Sequence, residues 1–125
     1  QLDTSAATIN HLADVVDNVG DRLEVVLDSG VRRGSHIVKA LAMGARACTV
    51  GRPYLYGLGA FGQPGVHRVL KLLRQEVERT MALVGCASVD DLGRPYLEAA
   101  DQWPHFIQHP TPAAAEMPAL SRSAS

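Results

Sequence analysis

The chain has no excess of charge of either sign: 12 basic residues stand against 13 acidic ones, for a formal net charge of -1. That balance argues against a dedicated nucleic-acid binder, which carries a basic excess on one face. No apolar run approaches the length of a bilayer span. Cysteine is scarce. Cys48 and Cys86 match no metal-ligand spacing, and Cys48, inside an apolar strand-like run, reads as a buried thiol. Nothing demands an oxidising compartment, and a cytoplasmic location is expected. The segment Gln1-Leu2-Asp3-Thr4 lacks an initiator Met, a basic region and an apolar region. It is therefore no signal peptide, and the chain is expected to begin in mid-protein. The closing Ser-Ala-Ser is not a peroxisomal S-K-L signal. The five histidines (His11, His36, His67, His105 and His109) have no carboxylate or thiol at ligand spacing. All five read as surface residues, none as catalytic, and no metal site is expected.

What is present fits one soluble globular domain: 125 residues, 46% hydrophobic and 20% charged. Residues 8–19 place Ile9, Leu12, Val15, Val16 and Val19 at helical spacing, with Gly20 to end the helix. Residues 23–27 form a short, largely apolar strand. Gly34-Ser35 opens a second helix, with Ser35 as the expected N-cap and Gly44 near its end. Residues 47–50 read as another strand, apolar enough to be covered on both sides. Residues 53–64, rich in Gly and Tyr, read as a loop or short irregular helix. Residues 65–84 give the longest helix, whose stripe of Val66, Val69, Leu70, Leu73, Val77, Met81 and Val84 is expected to face a core. Gly85 suits its C-terminus, and Ser88 to Leu92 suggest one more short helix. The Pro, Ala and Ser content of residues 103–125 reads as a disordered tail, leaving 1–102 as the folded part.

Helix, strand, helix, strand, helix implies an α/β protein with parallel strands joined by crossovers. Two strands make no stable sheet alone, so the pattern reads as part of a larger barrel or open sheet. In such folds functional loops lie at the carboxyl ends of the strands. Two glycine–arginine turns fall there, Asp28-Ser29-Gly30-Val31-Arg32 and Gly51-Arg52. Gly30 and Gly51 let backbone approach an anion closely. Arg32 and Arg52 each offer a planar fork of donors for phosphate oxygens. The helix starting near Gly34 adds the positive end of its dipole. Asp28 either accepts hydrogen bonds from a cofactor hydroxyl or from backbone N–H groups, or merely caps the turn. Arg33 reads as solvated or ion-paired, and Arg46 as a surface residue at the loop before the second strand. Tyr54 and Tyr56 either line a site entrance or pack beneath their loop.

The run from Asp28 to Ser35, then Val38-Lys39-Ala40-Leu41-Ala42-Met43-Gly44-Ala45, then Val50-Gly51-Arg52-Pro53 resembles the FMN-dependent α-hydroxy acid oxidases and dehydrogenases. The likeness continues through Gly65-Val66 to Thr80-Met81-Ala82-Leu83-Val84-Gly85 and covers roughly residues 1–98 without gaps. The resemblance implies the carboxyl-terminal third of a (β/α)8 TIM barrel, with residues 23–27 as strand 7 and 47–50 as strand 8. It assigns the FMN ribityl phosphate to Asp28, Ser29, Gly30, Val31 and Arg32 and to Gly51 and Arg52. The family oxidises an L-2-hydroxy acid, of the lactate or glycolate type, to a 2-keto acid. A histidine takes the hydroxyl proton, hydride passes to the flavin, and an arginine binds the substrate carboxylate. Both belong to a His-Gly-x-Arg motif that directly precedes a Gln-Leu-Asp like Gln1-Leu2-Asp3, so residues 1–125 do not contain them. The isolated chain is expected to be inactive, and the intact enzyme to be a homo-oligomer acting on a small molecule. Ser29 stands where glycine is common and His36 where an acidic residue is usual. Two alternatives remain: an inactive truncated half-barrel, or part of another phosphate-binding barrel enzyme, such as a relative of type 2 isopentenyl diphosphate isomerase or IMP dehydrogenase.

Overall fold

The computed structural model describes residues 4–98. The reading of 103–125 as a tail, the limit at residue 102, and His105 and His109 lie outside them. The helix–strand–helix–strand–helix order is as expected. It runs α1 (Thr8–Val19), β1 (Val26–Leu27), α2 (Gly34–Ala42), β2 (Ala47–Cys48) and α3 (Arg52–Val84), followed by 3-10 turns at Val89–Asp91 and Arg94–Tyr96. None of these helices is long and apolar enough to cross a membrane.

β1 and β2 pair in parallel, Val26 opposite Ala47 and Leu27 opposite Cys48. Flanking bonds extend the ladder: Arg46 N–H donates to the Val25 carbonyl at 2.7 Å and Thr49 N–H to the Leu27 carbonyl at 2.9 Å. Both strands are shorter than the sequence suggests. The physical reason is that each has one neighbour among the described residues, so pairing holds only where the two face each other. The expectation that the second strand is covered on both faces also fails. Ala47 is exposed, Cys48 is half-buried rather than buried, and Val26 is 51% exposed. A strand of a parallel sheet buries both faces only when layers lie on each side. Here α1 and α2 cover one.

That covered face makes one core. Leu12 of α1, Leu27 of β1, Val31, Ala40 of α2 and Ala45 are buried together, with Ile9, Val16 and Ile37 half-buried against them. Burying a side chain the size of Leu12 contributes about 1.5–3 kcal/mol. A second, smaller core joins α2 to α3 through Val38, Met81 and Cys86. Only part of the predicted α3 stripe is inside: Leu73 and Met81 are buried, whereas Leu70 and Val84 are exposed.

α3 begins at Arg52, so of the two readings of 53–64 the irregular helix holds and the loop does not, although the helix is continuous with the longer one that follows. It is nevertheless broken at Phe61 (φ -143°) and Gly62 (φ +60°), where the chain turns a corner. A Cβ on Gly65 would lie 1.9 Å from the Gly57 carbonyl oxygen, eight positions earlier. Such residues are about 12 Å apart along a straight helix, so the two arms fold back into backbone contact. Gly57 and Gly65 are buried there, which is why a glycine-rich stretch is helical. α3 ends as expected at Gly85, which takes the left-handed conformation (φ +73°). Ser88 then caps the first 3-10 turn, its hydroxyl accepting from Asp90 N–H at 3.2 Å.

Candidate functional site

Both glycine–arginine turns leave the carboxyl ends of adjacent parallel strands, and adjacency brings them together. Residues 28–32 and Thr49, Gly51, Arg52, Pro53 and Leu55 line one cavity of about 330 Å³. All seven predicted site residues (Asp28, Ser29, Gly30, Val31, Arg32, Gly51 and Arg52) are in that lining. Tyr54 and Tyr56 are not: they sit on the first turns of α3 rather than in a loop, and Tyr56 is exposed.

The first turn is built by local backbone geometry and by long-range bonds. Ser29 (φ +78°) and Gly30 (φ +80°) are consecutive left-handed residues. Gly30 adopts that conformation without cost, whereas a side chain there is strained. Val31 is buried in the core and pins the turn's middle. The Thr8 hydroxyl of α1 donates to the Asp28 carbonyl at 2.8 Å. The Thr49 hydroxyl donates to Asp28 Oδ1, and the Ser29 hydroxyl to Oδ2 at 3.3 Å. The Thr49 bond first, then the Ser29 N–H and hydroxyl, hold the Asp28 carboxyl below its ordinary pKa. It is thus an ionised clamp from the tip of β1 to the segment after β2. Thr49 and Thr8 escaped the sequence reading because their partners are about twenty residues away.

The predicted contribution of the α2 dipole needs correcting. Gly34 does not line the cavity. Its N–H donates to Glu76 Oε2 at 2.7 Å, and Arg33 Nε pairs with Glu76 Oε1 at 2.9 Å. A carboxylate of α3 therefore occupies the start of α2. The N-cap is Arg33, in extended conformation and without a side-chain cap, so Ser35 does not cap the helix. The Gly34 N–H, first, and then Arg33 lower the pKa of Glu76. Arg33 is ion-paired, as one of its two readings had it, and Arg46 pairs with Glu24 at 3.5 Å.

His11, His36 and His67 are exposed, as expected. His36 has a local role: its Nδ1 accepts the Arg32 N–H at 3.4 Å. Among the described residues no cluster of His, Cys, Asp or Glu is arranged to hold a metal.

The second turn has few internal bonds. Gly51 precedes α3 with φ -101° and ψ -91°, and the Leu55 N–H reaches the Gly51 carbonyl at 3.4 Å. A Cβ on Gly30 or on Gly51 would meet no protein atom within 4 Å. Packing among the described residues thus leaves both positions open. No carboxylate pairs with Arg32 or Arg52 among the described residues; Arg68 and Arg79 on α3 have none either, whereas Arg22, Arg33, Arg46, Arg74 and Arg94 each have one. Open space at two glycines, two unpaired guanidiniums and a concave surface suit an anion with several oxygen acceptors.

Comparison with known proteins identifies the family. The model of the FMN-dependent dehydrogenase family, whose cofactor is FMN, matches residues 1–99. The chain is 49% identical over 107 residues to the peroxisomal (S)-2-hydroxyacid oxidase GLO3 of Arabidopsis thaliana, covering 86% of this chain and 30% of that protein. It is 45% identical over 97 residues to an L-lactate oxidase of Nostoc, covering 78% of this chain and 27% of the relative. Among solved structures it resembles a soluble mutant of the membrane-associated (S)-mandelate dehydrogenase of Pseudomonas putida. The TM-score is 0.75 at 47% identity, over 78% of this chain and 28% of that one. A mutant flavocytochrome b2 with sulfite bound matches with a TM-score of 0.74 at 39% identity, over 80% and 27%. The chain spans less than a third of the length of these relatives. By this match over most of its length, the chain belongs to the FMN-dependent dehydrogenase family.

Proposed function

We propose that this chain supplies the carboxyl-terminal third of a (β/α)8 barrel, with β1 and β2 as strands 7 and 8, and that the cavity between its two turns holds the phosphate of FMN. The intact protein oxidises an L-2-hydroxy acid of the lactate or glycolate type to a 2-keto acid. FMN held there would supply the hydride acceptor for that oxidation. The observation that carries the reading is the convergence of Arg32 and Arg52 on one cavity, with no carboxylate paired to either among the described residues. Both guanidiniums bind phosphate oxygens. Gly30 and Gly51 leave room for close approach, and Ser29 and Val31 complete the turn. Asp28, already ionised, repels phosphate directly but suits a ribityl hydroxyl as acceptor. The proton-accepting histidine and the carboxylate-binding arginine lie outside residues 1–125, so this chain binds cofactor and performs no step alone.

The test is a flavin-fluorescence titration of the intact protein with FMN and with riboflavin, which lacks the phosphate. Arg32→Gln and Arg52→Gln each remove charge-assisted hydrogen bonds, so FMN binding should weaken roughly 10- to 100-fold while riboflavin binding is unchanged. Wild-type affinity no higher for FMN than for riboflavin would overturn the phosphate assignment. Oxidation of lactate or glycolate by the isolated 125-residue chain would overturn the division of labour.

The exposed Val26 and Leu83 (51% and 81%) favour one further property of the isolated chain: it associates to cover apolar surface. A monodisperse, cooperatively unfolding monomer in sedimentation and thermal melts would contradict this.

A further inference from the structure

Glu76 lies on α3, does not line the cavity, and is 42 residues from its partner Gly34. Nothing in the cofactor chemistry requires it. Yet it closes the far end of the first turn. Its Oε2 accepts the Gly34 N–H at 2.7 Å, and its Oε1 takes the Arg33 guanidinium at 2.9 Å. Three further observations make this contact matter for the turn. First, α2 has no acidic residue in its first turn and no side-chain cap, so among the described residues its leading N–H has this one charged acceptor. Second, the backbone at Gly34 is pressed onto α3: a Cβ there would stand 2.4 Å from Val77 N and 2.5 Å from Glu76 Cβ. Third, Gly34 is only two positions beyond Arg32, so fixing Gly34 fixes where Arg32 leaves the backbone.

The turn is therefore held at both ends, with buried Val31 as the one core anchor between them. Thr8 and Thr49 hold Asp28 at its start, and Glu76 holds Arg33 and Gly34 at its end. The segment between contains two consecutive left-handed residues, Ser29 and Gly30. Residues of that kind keep one conformation only while the surrounding structure over-determines them, and Glu76 supplies the constraint nearest Arg32 on its carboxyl side. Glu76 also occupies Arg33, which would otherwise place a second free guanidinium beside Arg32.

We propose that Glu76 is the positioning residue of the phosphate-binding turn: through Gly34 and Arg33 it sets the preference of the site for a phosphorylated over an unphosphorylated flavin. This rests on the assignment of the cavity to the FMN phosphate. A residue that only supported the fold would affect both flavins alike. One that positions Arg32 affects FMN alone.

The experiment compares Kd for FMN and for riboflavin in the intact protein and in E76A, E76Q, R33Q and E78Q. Glu78 is on the same helix and pairs with Arg74 at 2.8 Å, away from the turn, so E78Q is the matched control. Loss of both charge-assisted contacts of Glu76, to Gly34 and to Arg33, should lower the riboflavin-to-FMN Kd ratio roughly tenfold or more in E76A. E76Q, which keeps an acceptor for Gly34 but not the charge for Arg33, should fall between E76A and wild type, and E78Q should match wild type. Equal weakening of both flavins, or an unchanged ratio, in E76A overturns the proposal. Should E76A fail to fold, E76Q and R33Q decide: a lowered ratio supports it and an unchanged ratio in both overturns it. A wild-type ratio of one overturns the phosphate assignment and this proposal with it, whereas a high wild-type ratio that survives in E76A overturns only the role of Glu76.

Discussion

The two turns share residue types and a cavity but not a way of being held. The first, residues 28–32, is fastened by Thr8, Thr49, Val31 and, just past its end, Glu76. The second, at Gly51 and Arg52, has one long backbone bond, from Leu55, and begins a helix with no side-chain cap. Glycine likewise serves opposite purposes at the two. Gly34, behind the first turn, is crowded by α3, whereas Gly51 has open space around the missing Cβ. The first turn is thus preorganised by the chain, and the second is left for a ligand to complete. Preorganised donors bind without an ordering cost at the moment of binding.

The largest expected effect separates the two glycines. Gly34→Ala forces a methyl into the α2–α3 contact and should destabilise the intact protein by about 1–3 kcal/mol, read as a lowered Tm. Gly51→Ala should cost less stability but weaken FMN binding, because its methyl stands in the cavity. Equal Tm losses would erase the distinction between the turns. A smaller effect is pH-dependent. The folded-state pKa of Asp28 is depressed, so its ionised clamp contributes fully above the ordinary value of 3.8 and is lost as pH falls through the lower folded value. The stability difference between wild type and Asp28→Asn should be constant near neutrality and shrink below about pH 4. Acid titration of thermal unfolding checks this. Glu76 has the same sign, so the variant should keep part of the acid sensitivity. The smallest effect is a gain. Ser29 holds φ +78°, and Ser29→Gly should stabilise the intact protein by about 0.5–1 kcal/mol, strain relief being offset by backbone entropy. No gain in Tm would mean that the Ser29–Asp28 bond compensates for the strain.

Local features were legible in the sequence. The helix at Thr8–Val19 and the end of α3 at Gly85 follow from 3.6-residue periodicity and a left-handed glycine, both written within a few positions. Seven of the ten cavity residues were legible because chain order places both turns at carboxyl ends of neighbouring parallel strands. Strand lengths were not: how far Val25 or Val50 continues a ladder depends on neighbours, not on its own side chain. Glu76 was invisible because, on the surface of an amphipathic helix, it looks like any solvated carboxylate until α2 is packed against it. The helix from Arg52 was only half legible, because its glycines read equally as loop formers, whereas they permit two helical arms to touch.

That corner in α3 has a mechanical consequence. Arg52 begins the first arm, Glu76 sits on the second, and the break at Phe61 and Gly62 lies between them. The first arm, nine residues to Ala60, acts as a lever about 14 Å long. A rotation of about 5° at the corner would carry Arg52 about 1 Å, an error large enough to spoil a binding geometry. Gly57 and Gly65 press the arms together close to the pivot, so the spacing between the two arginines is gauged by a contact that neither arginine touches.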